Sequence, residues 1–335
     1  MFDRRFTILE GYKGAMNFSN TVLESENQLP ASIGRLEQSI QLPDSALLML
    51  QRRLEWSTKT DGFNKQLKRQ SIFPKMHEKP PRTFGPHCER MEFNILNSYY
   101  DVSDLVASRL SNSFDRRKII SPECTLAFDR NGRQVITDLR CDFVTLTPVS
   151  EAKLLQNLPQ TERPVPLFCE QPSVTKDKEV VDIQPANWEI CFEKTHFYPE
   201  KVDSSPLPSG SDVHTIFLST NHYAFKPLPD RFLKARAVMF MYGYAVRQAR
   251  RLYGDDLNYK SAKNYKQLNT PITIQSVFIN QLKKNIGFGC FQLNTLAFDS
   301  QVKNQLWFDE MYSLEEEPEL ILKKLTALQL NGYNN

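Results

Sequence analysis

Asp129, Asp138, Glu189, Glu193 and Lys194 are the residue types that metal-dependent phosphodiester chemistry requires. Such chemistry needs two or more converging carboxylates to hold Mg²⁺ and a lysine near the attacked phosphate. Each position also has a plainer explanation. Asp129 stands beside Asn131-Gly132, where aspartate serves the turn. Glu193-Lys194 reads as a solvated strand end. A nuclease, or a degenerate nuclease-like RNA-binding protein, is therefore the rival reading and not the leading one. His87 and Cys88 are adjacent and His214 and His222 are eight apart, neither of which is a zinc spacing. The chain contains no G-x-S-x-G and no Walker phosphate loop. Gly287-Phe288-Gly289 lies inside a strand pattern, so close packing or a bulge is expected there in place of a nucleotide loop. No catalytic set, metal or cofactor is expected.

Basic side chains offer a different chemistry, the neutralisation of phosphates. The net charge is only +3, but its distribution is uneven. Lys65, Lys68, Arg69, Lys75, Lys79 and Arg82 fall in one short stretch with a single acid, Glu78. Phe73, Phe84, His77 and four prolines (Pro74, Pro80, Pro81, Pro86) are interleaved with them. Proline denies this stretch a helix interior and most sheet positions. It reads as an extended basic arm, serving either as a solvated linker or as a polyanion-binding extension; aromatic rings that can stack on unpaired bases favour the second. Farther on, Arg236, Gly243, Arg247 and Arg250 fall within roughly 60° of one another at helical spacing, with Arg251 at the border. Such a stripe is either a solvated helix face or a phosphate-facing one. Lys260, Lys263, Lys266, Lys283 and Lys284 follow in loops that would extend it. The acidic run Glu315-Glu316-Glu317 reads as a solvated helix entry, favourable at a positive N-terminus.

The elements that must carry these residues can be read from hydrophobic period and punctuation. The chain has 335 residues, 40% apolar and 24% charged, enough for a large core and against bulk disorder. Six cysteines without a C-x-x-C pair read as reduced, mostly buried thiols. No apolar run reaches a membrane-spanning length of about 18 residues. The N-terminus has no signal-peptide core, and Asp3 and Glu10 interrupt a transit-peptide pattern. Helices are predicted over 7–23, from Asp44 through Leu54, and over 98–114. Cys124–Phe128 and Val135–Leu139 flank Asn131-Gly132 and predict a β-hairpin. Between 159 and 210, eight prolines interrupt the chain, with short strands expected at Trp188–Phe192 and Val213–Leu218. Pro229-Asp230 opens a long helix that ends near Tyr253, apolar almost all round in its middle and hence central. A second hairpin over Ile272–Ile279 and Ile286–Leu293, a strand at Leu306–Phe308 and a helix from Pro318 complete the order. This is an α+β pattern: N-terminal helices and an extended basic arm, then a mixed sheet of hairpins packed on a long central helix. The expected divisions are 1–60 as a helical region, 61–90 as the arm and 91–335 as an α+β domain.

Several ordered segments carry a family resemblance. Asp230-Arg-Phe-Leu-Lys-Ala-Arg-Ala-Val-Met-Phe through Gln248-Ala-Arg-Arg-Leu-Tyr-Gly254, Pro271-Ile-Thr-Ile-Gln-Ser-Val, Phe291-Gln-Leu-Asn-Thr-Leu296 and Val302-Lys-Asn-Gln-Leu-Trp307 resemble the mitochondrial large-subunit ribosomal protein 37 family. Leu9-Glu-Gly11 and the Asn-Gly hairpin are similar too. A paralogous branch, formerly counted with the small subunit as protein 30, remains open. The chain departs from the family by lacking the usual N-terminal presequence region and by an insertion at Leu257–Leu268. The resemblance implies a non-catalytic component of the large subunit of the ribosome in the mitochondrial matrix. Its implied partners are ribosomal RNA and other mitochondrial large-subunit proteins, the paralogue among them.

Overall fold

A computed structural model of the chain describes residues 12–58, 88–111, 116–130, 133–147, 212–219, 230–253, 268–280, 284–297 and 302–332. Its centre is an eight-stranded mixed sheet. The strands are β1 (Thr21–Ser25), β2 (Arg117–Ile120), β5 (Phe143–Thr147), β6 (Asp212–Leu218), β7 (Ile272–Asn280), β8 (Asn285–Leu293), β9 (Asn304–Phe308) and β10 (Tyr312–Ser313). They lie in the order β1-β9-β8-β7-β6-β5-β2, with β10 also paired to β8. β1 runs parallel to β9 and β6 parallel to β7; the other neighbours are antiparallel. β3 (Glu123–Arg130) and β4 (Arg133–Arg140) form a separate two-stranded ribbon.

Helices cover both faces. On one side lie α1 (Tyr12–Phe18) and α5 (Asp230–Tyr253), packed on Ile274, Phe278, Phe291, Leu293, Leu306 and Phe308. On the other lie α2 (Ala31–Ser39), α3 (Asp44–Thr58), α4 (Cys88–Leu110) and α6 (Pro318–Leu330), packed on Phe143, Phe217, Val277, Ile279, Phe288 and Trp307. β7 alternates its side chains between these two cores, which is why all nine of its residues are buried. α5 packs against β6, β7, β8, α1 and the β3–β4 ribbon, the central position that its apolar middle predicts.

Gly287 and Gly289 make close packing possible. A Cβ at 287 would stand 2.5 Å from Phe278 Cε2, and one at 289 would stand 2.9 Å from Ser276 Oγ. The expectation of close packing holds, and the segment is interior strand.

Several boundaries differ from the sequence reading. The helix expected over 7–23 stops at Phe18, and Asn20 turns the chain with φ 52 before Thr21 and Val22 enter β1. β-branched residues suit a strand, and the sheet provides the partner that the local pattern does not reveal. The helix expected from 98 begins at Cys88. β1, in the region 1–60, is hydrogen-bonded to β9, in the region 91–335. The 124–139 hairpin is present, with Arg130 paired to Arg133 across its turn. Asn131-Gly132, the arm from 61 to 87 and the strand expected at Trp188–Phe192 lie outside the described residues.

Candidate nucleic-acid interface

The basic stripe of α5 can be followed residue by residue. Arg236 is half-buried and donates from Nη1 to the carbonyl of Ser219, while its guanidinium lies 5.2 Å from the Phe240 ring centre. Ser219 in turn donates from its backbone N and its Oγ to the buried Asp142 carboxylate, at 2.6 and 2.9 Å. Arg251 pairs with Asp212 at the start of β6. Arg247 and Arg250 are half-buried, and Gly243 is buried. Arg236 and Arg251 are thus engaged within the chain, and Arg250 too has partners there. Lys284 is exposed and pairs with Glu315 at 2.6 Å. Glu315 and Glu316 are exposed as a helix entry should be, and Glu317 accepts from the Ser313 backbone N at 2.9 Å. Lys65, Lys68, Arg69, Lys75, Lys79, Arg82, Lys260, Lys263, Lys266 and Lys283 lie outside the described residues.

Two of the candidate carboxylates, Asp129 and Asp138, fall in described strands. In the β3–β4 register Asp138 stands opposite Thr125 and Asp129 opposite Gln134. Their backbone positions are four steps apart along the ribbon, roughly 13 Å. Glu189, Glu193 and Lys194 lie outside the described residues. Among the described residues no group of three or more His, Cys, Asp or Glu is placed to hold a metal ion. Cys124, Cys141 and Cys290 are buried free thiols. Burial pushes the Cys141 thiol up to about 12, so it is no nucleophile at neutral pH.

Polar chemistry is concentrated instead in two buried networks that sequence reasoning missed. The first holds the C-terminal end of α6. Arg116, 8% exposed, donates from Nη2 to the carbonyls of Gln329 (3.0 Å) and Asn331 (2.9 Å), and from Nη1 to Thr147 Oγ1. A cation is favourable at this negative end of a helix. His214 Nε2 lies 2.8 Å from the same guanidinium, and Nδ1 lies 2.8 Å from Thr215 Oγ1. Nε2 also lies 2.9 Å from the Asn331 carbonyl, which calls for a proton on that nitrogen, whereas the Arg116 contact calls for a lone pair there. Burial first, and Arg116 second, hold His214 well below its usual pKa. Gln275 donates to the Leu328 carbonyl (3.1 Å) and to Thr215 Oγ1 (3.0 Å), and accepts from Asn331 Nδ2 (2.9 Å).

The second network ties the N-terminal elements to the sheet. Asn304 Oδ1 accepts from the backbone N of Asn294 (2.7 Å) and Thr295 (2.9 Å), while its Nδ2 donates to Ser19 O (2.7 Å). Asn20 Nδ2 donates to Ala297 O (3.0 Å), and Lys303 Nζ donates to Asn20 Oδ1 (2.6 Å). Gln275, Asn294, Thr295, Lys303 and Asn304 all fall in the segments that carry the family resemblance. Their side chains bind backbone and one another, the work of structural residues.

The fold and its polar residues thus define a class: an α+β protein on a mixed sheet whose buried polar side chains brace strands and helix ends. Among known proteins, the chain is similar to members of the large ribosomal subunit. It is 32% identical over 149 residues to large ribosomal subunit protein mL37 of Bos taurus, covering 42% of this chain and 32% of that protein. To mL37 of Gallus gallus it is 29% identical over 181 residues, covering 50% and 39%. To mL37 of Mus musculus it is 26% identical over 204 residues, covering 58% and 42%. The matched stretch therefore spans 32–42% of the length of these curated relatives. No protein-family profile matches it. The resemblance to the mitochondrial large-subunit protein 37 family is borne out by these relatives.

Proposed function

We propose that the chain is a non-catalytic structural component of the large subunit of the mitochondrial ribosome, acting in translation within the matrix. The observation that carries this reading is the use made of the polar residues in the resembling segments. Asn304 and Gln275 hold distant backbone together. The names of the relatives supply the particle. In this reading ribosomal RNA and neighbouring large-subunit proteins, including a paralogue, are the partners. In this reading the expected arm, whose last residues Cys88–Arg90 belong to α4, is a part of the chain that contacts RNA.

The proposed RNA contacts are Lys65, Lys68, Arg69, Lys75, Lys79 and Arg82 on the arm, Arg247 and Arg250 on α5, and Lys260, Lys263, Lys266, Lys283 and Lys284 in the loops. Arg236, Arg250 and Arg251 contribute their remaining donors. Phosphate contacts of this kind position a protein without reading sequence, and each one steepens the salt dependence of binding. Sedimentation of a matrix lysate tests the reading. The chain should co-migrate with large-subunit RNA; recovery near the top of the gradient would refute it. With the six arm bases changed to Gln, the protein should leave particles at lower salt than the wild type.

A further inference from the structure

Trp56 is 83% exposed near the end of α3, although large aromatic rings are usually covered. It borders a shallow open groove of about 280 Å³ between α3 and α4, lined also by Arg53, Ser57, Asn94, Asn97 and Ser98. The groove's size lies at the lower end of small-ligand sites, enough for one planar ring system. Apart from the indole, its lining is polar. Ser57 and Ser98 hydroxyls meet at 3.1 Å on its floor. Asn97 is held in place, donating to Asp101 (3.0 Å) and accepting from Lys118 Nζ. Arg53 is oriented by Asp101 at 2.6 Å. The Asn94 amide makes no hydrogen bond among the described residues. A free amide beside an exposed indole offers both a stacking face and a donor–acceptor edge.

We infer that this groove binds an unpaired nucleobase of RNA, with Trp56 as the stacking platform and Asn94 reading the base edge. The inference rests on the proposed placement in a ribonucleoprotein and specifies one contact within it. Base–aromatic stacking tolerates any base, whereas an amide edge selects among them. A protein side chain is the poorer fit, because the floor beside the indole is hydroxyl and amide where an apolar anchor wants a dry pocket. Charge points the same way. α3 ends at Thr58, and the sequence between it and Cys88 carries six Lys/Arg between Lys65 and Arg82 against one acid. Both walls of the groove are thus joined covalently to the most basic stretch of the chain, which raises the local concentration of RNA.

The test uses the full chain and fluorescein-labelled single-stranded RNA of about eight nucleotides, within the usual range for such sites. The same sugar-phosphate backbone without bases serves as comparison. Trp56→Ala should weaken binding of the base-bearing strand roughly 5- to 150-fold, leave the abasic strand unaffected and leave the melting temperature unchanged. Trp56→Phe should retain most of the affinity, and Asn94→Leu should flatten the preference among homopolymers. Equal binding by wild type and Trp56→Ala would overturn the base site while leaving phosphate contacts intact. RNA affinity retained while Trp56→Ala is lost from particles would assign the groove to a protein neighbour and overturn it too. Failure of the wild type to bind either strand would remove the RNA reading itself, and the base site with it.

Discussion

Acidification should weaken the fold through His214. The ring is buried beside Arg116, and both burial and that cation disfavour its charged form, so in the folded chain it titrates well below 6.5. In the unfolded chain it takes up a proton near its usual value of 6.5. Between these two values the unfolded state binds the extra proton, so stability is complete above 6.5 and falls as the pH drops below it. Down to about pH 5.5 the loss is about 1 to 2 kcal/mol, since each unit of pKa difference is worth roughly 1.4 kcal/mol. For a chain of this size that lowers Tm by roughly 2–5 °C. His214→Gln keeps a polar side chain but cannot titrate. Thermal unfolding of both proteins across this window isolates the effect from that of the carboxylates common to both. The variant is less stable throughout, and its stability should fall less steeply with acid. Parallel curves for the two proteins would refute the argument.

Packing and networks make three further predictions. Gly287→Ala should destabilise by about 2–3 kcal/mol, more than Gly289→Ala, because the first Cβ meets the Phe278 ring at 2.5 Å and the second meets Ser276 Oγ at 2.9 Å; chemical denaturation ranks them. Asn304→Ala strands two buried backbone donors and leaves the Ser19 carbonyl with only the Thr21 hydroxyl, costing about 2–4 kcal/mol, and amide exchange should quicken in Thr21–Ser25 before it does in β7. Lys324 bridges Glu37 (3.0 Å) and Asp309 (2.9 Å). Burial pulls its ammonium down, but Asp309 and Glu37 outweigh that and the net shift is upward. Lys324→Met should cost about 3–5 kcal/mol, and adding Asp309→Leu should restore a measurable part in a denaturation cycle.

Much of the fold was legible where local pattern and global structure agree. The helices Asp230–Tyr253 and Pro318–Leu330 begin at Pro-marked boundaries, and the hairpin of β7 and β8 lies within one or two residues of its expected limits. β1 was missed because its partner β9 is remote, β2 because it is a short edge strand whose exposure does not alternate, and β5 because the sheet covers it on both faces. Strands buried on two sides lose the alternation that announces them: Phe143–Thr147 is buried at every residue. The angular arithmetic for the arginines of α5 fits the helix, yet Ser219 and Asp212, which engage two of them, come from around β6. Neither network was legible, because a polar side chain that braces backbone carries no periodic signature. Asn304 reads as any loop asparagine until Ser19 is set beside it. Trp56 was overlooked for the opposite reason: in sequence it looks like core.

Asn20 and Lys303 touch across 283 residues of chain, and among the described residues β1 pairs with β9 alone. During synthesis β1 must wait, unmated, until Asn304–Phe308 has been translated. Completing the layer is therefore a closing step governed by a very long loop, slow by topology and not for want of stability. The waiting edge is an open template for other strands. A cell making this protein has reason to shield that edge until Asn304 emerges.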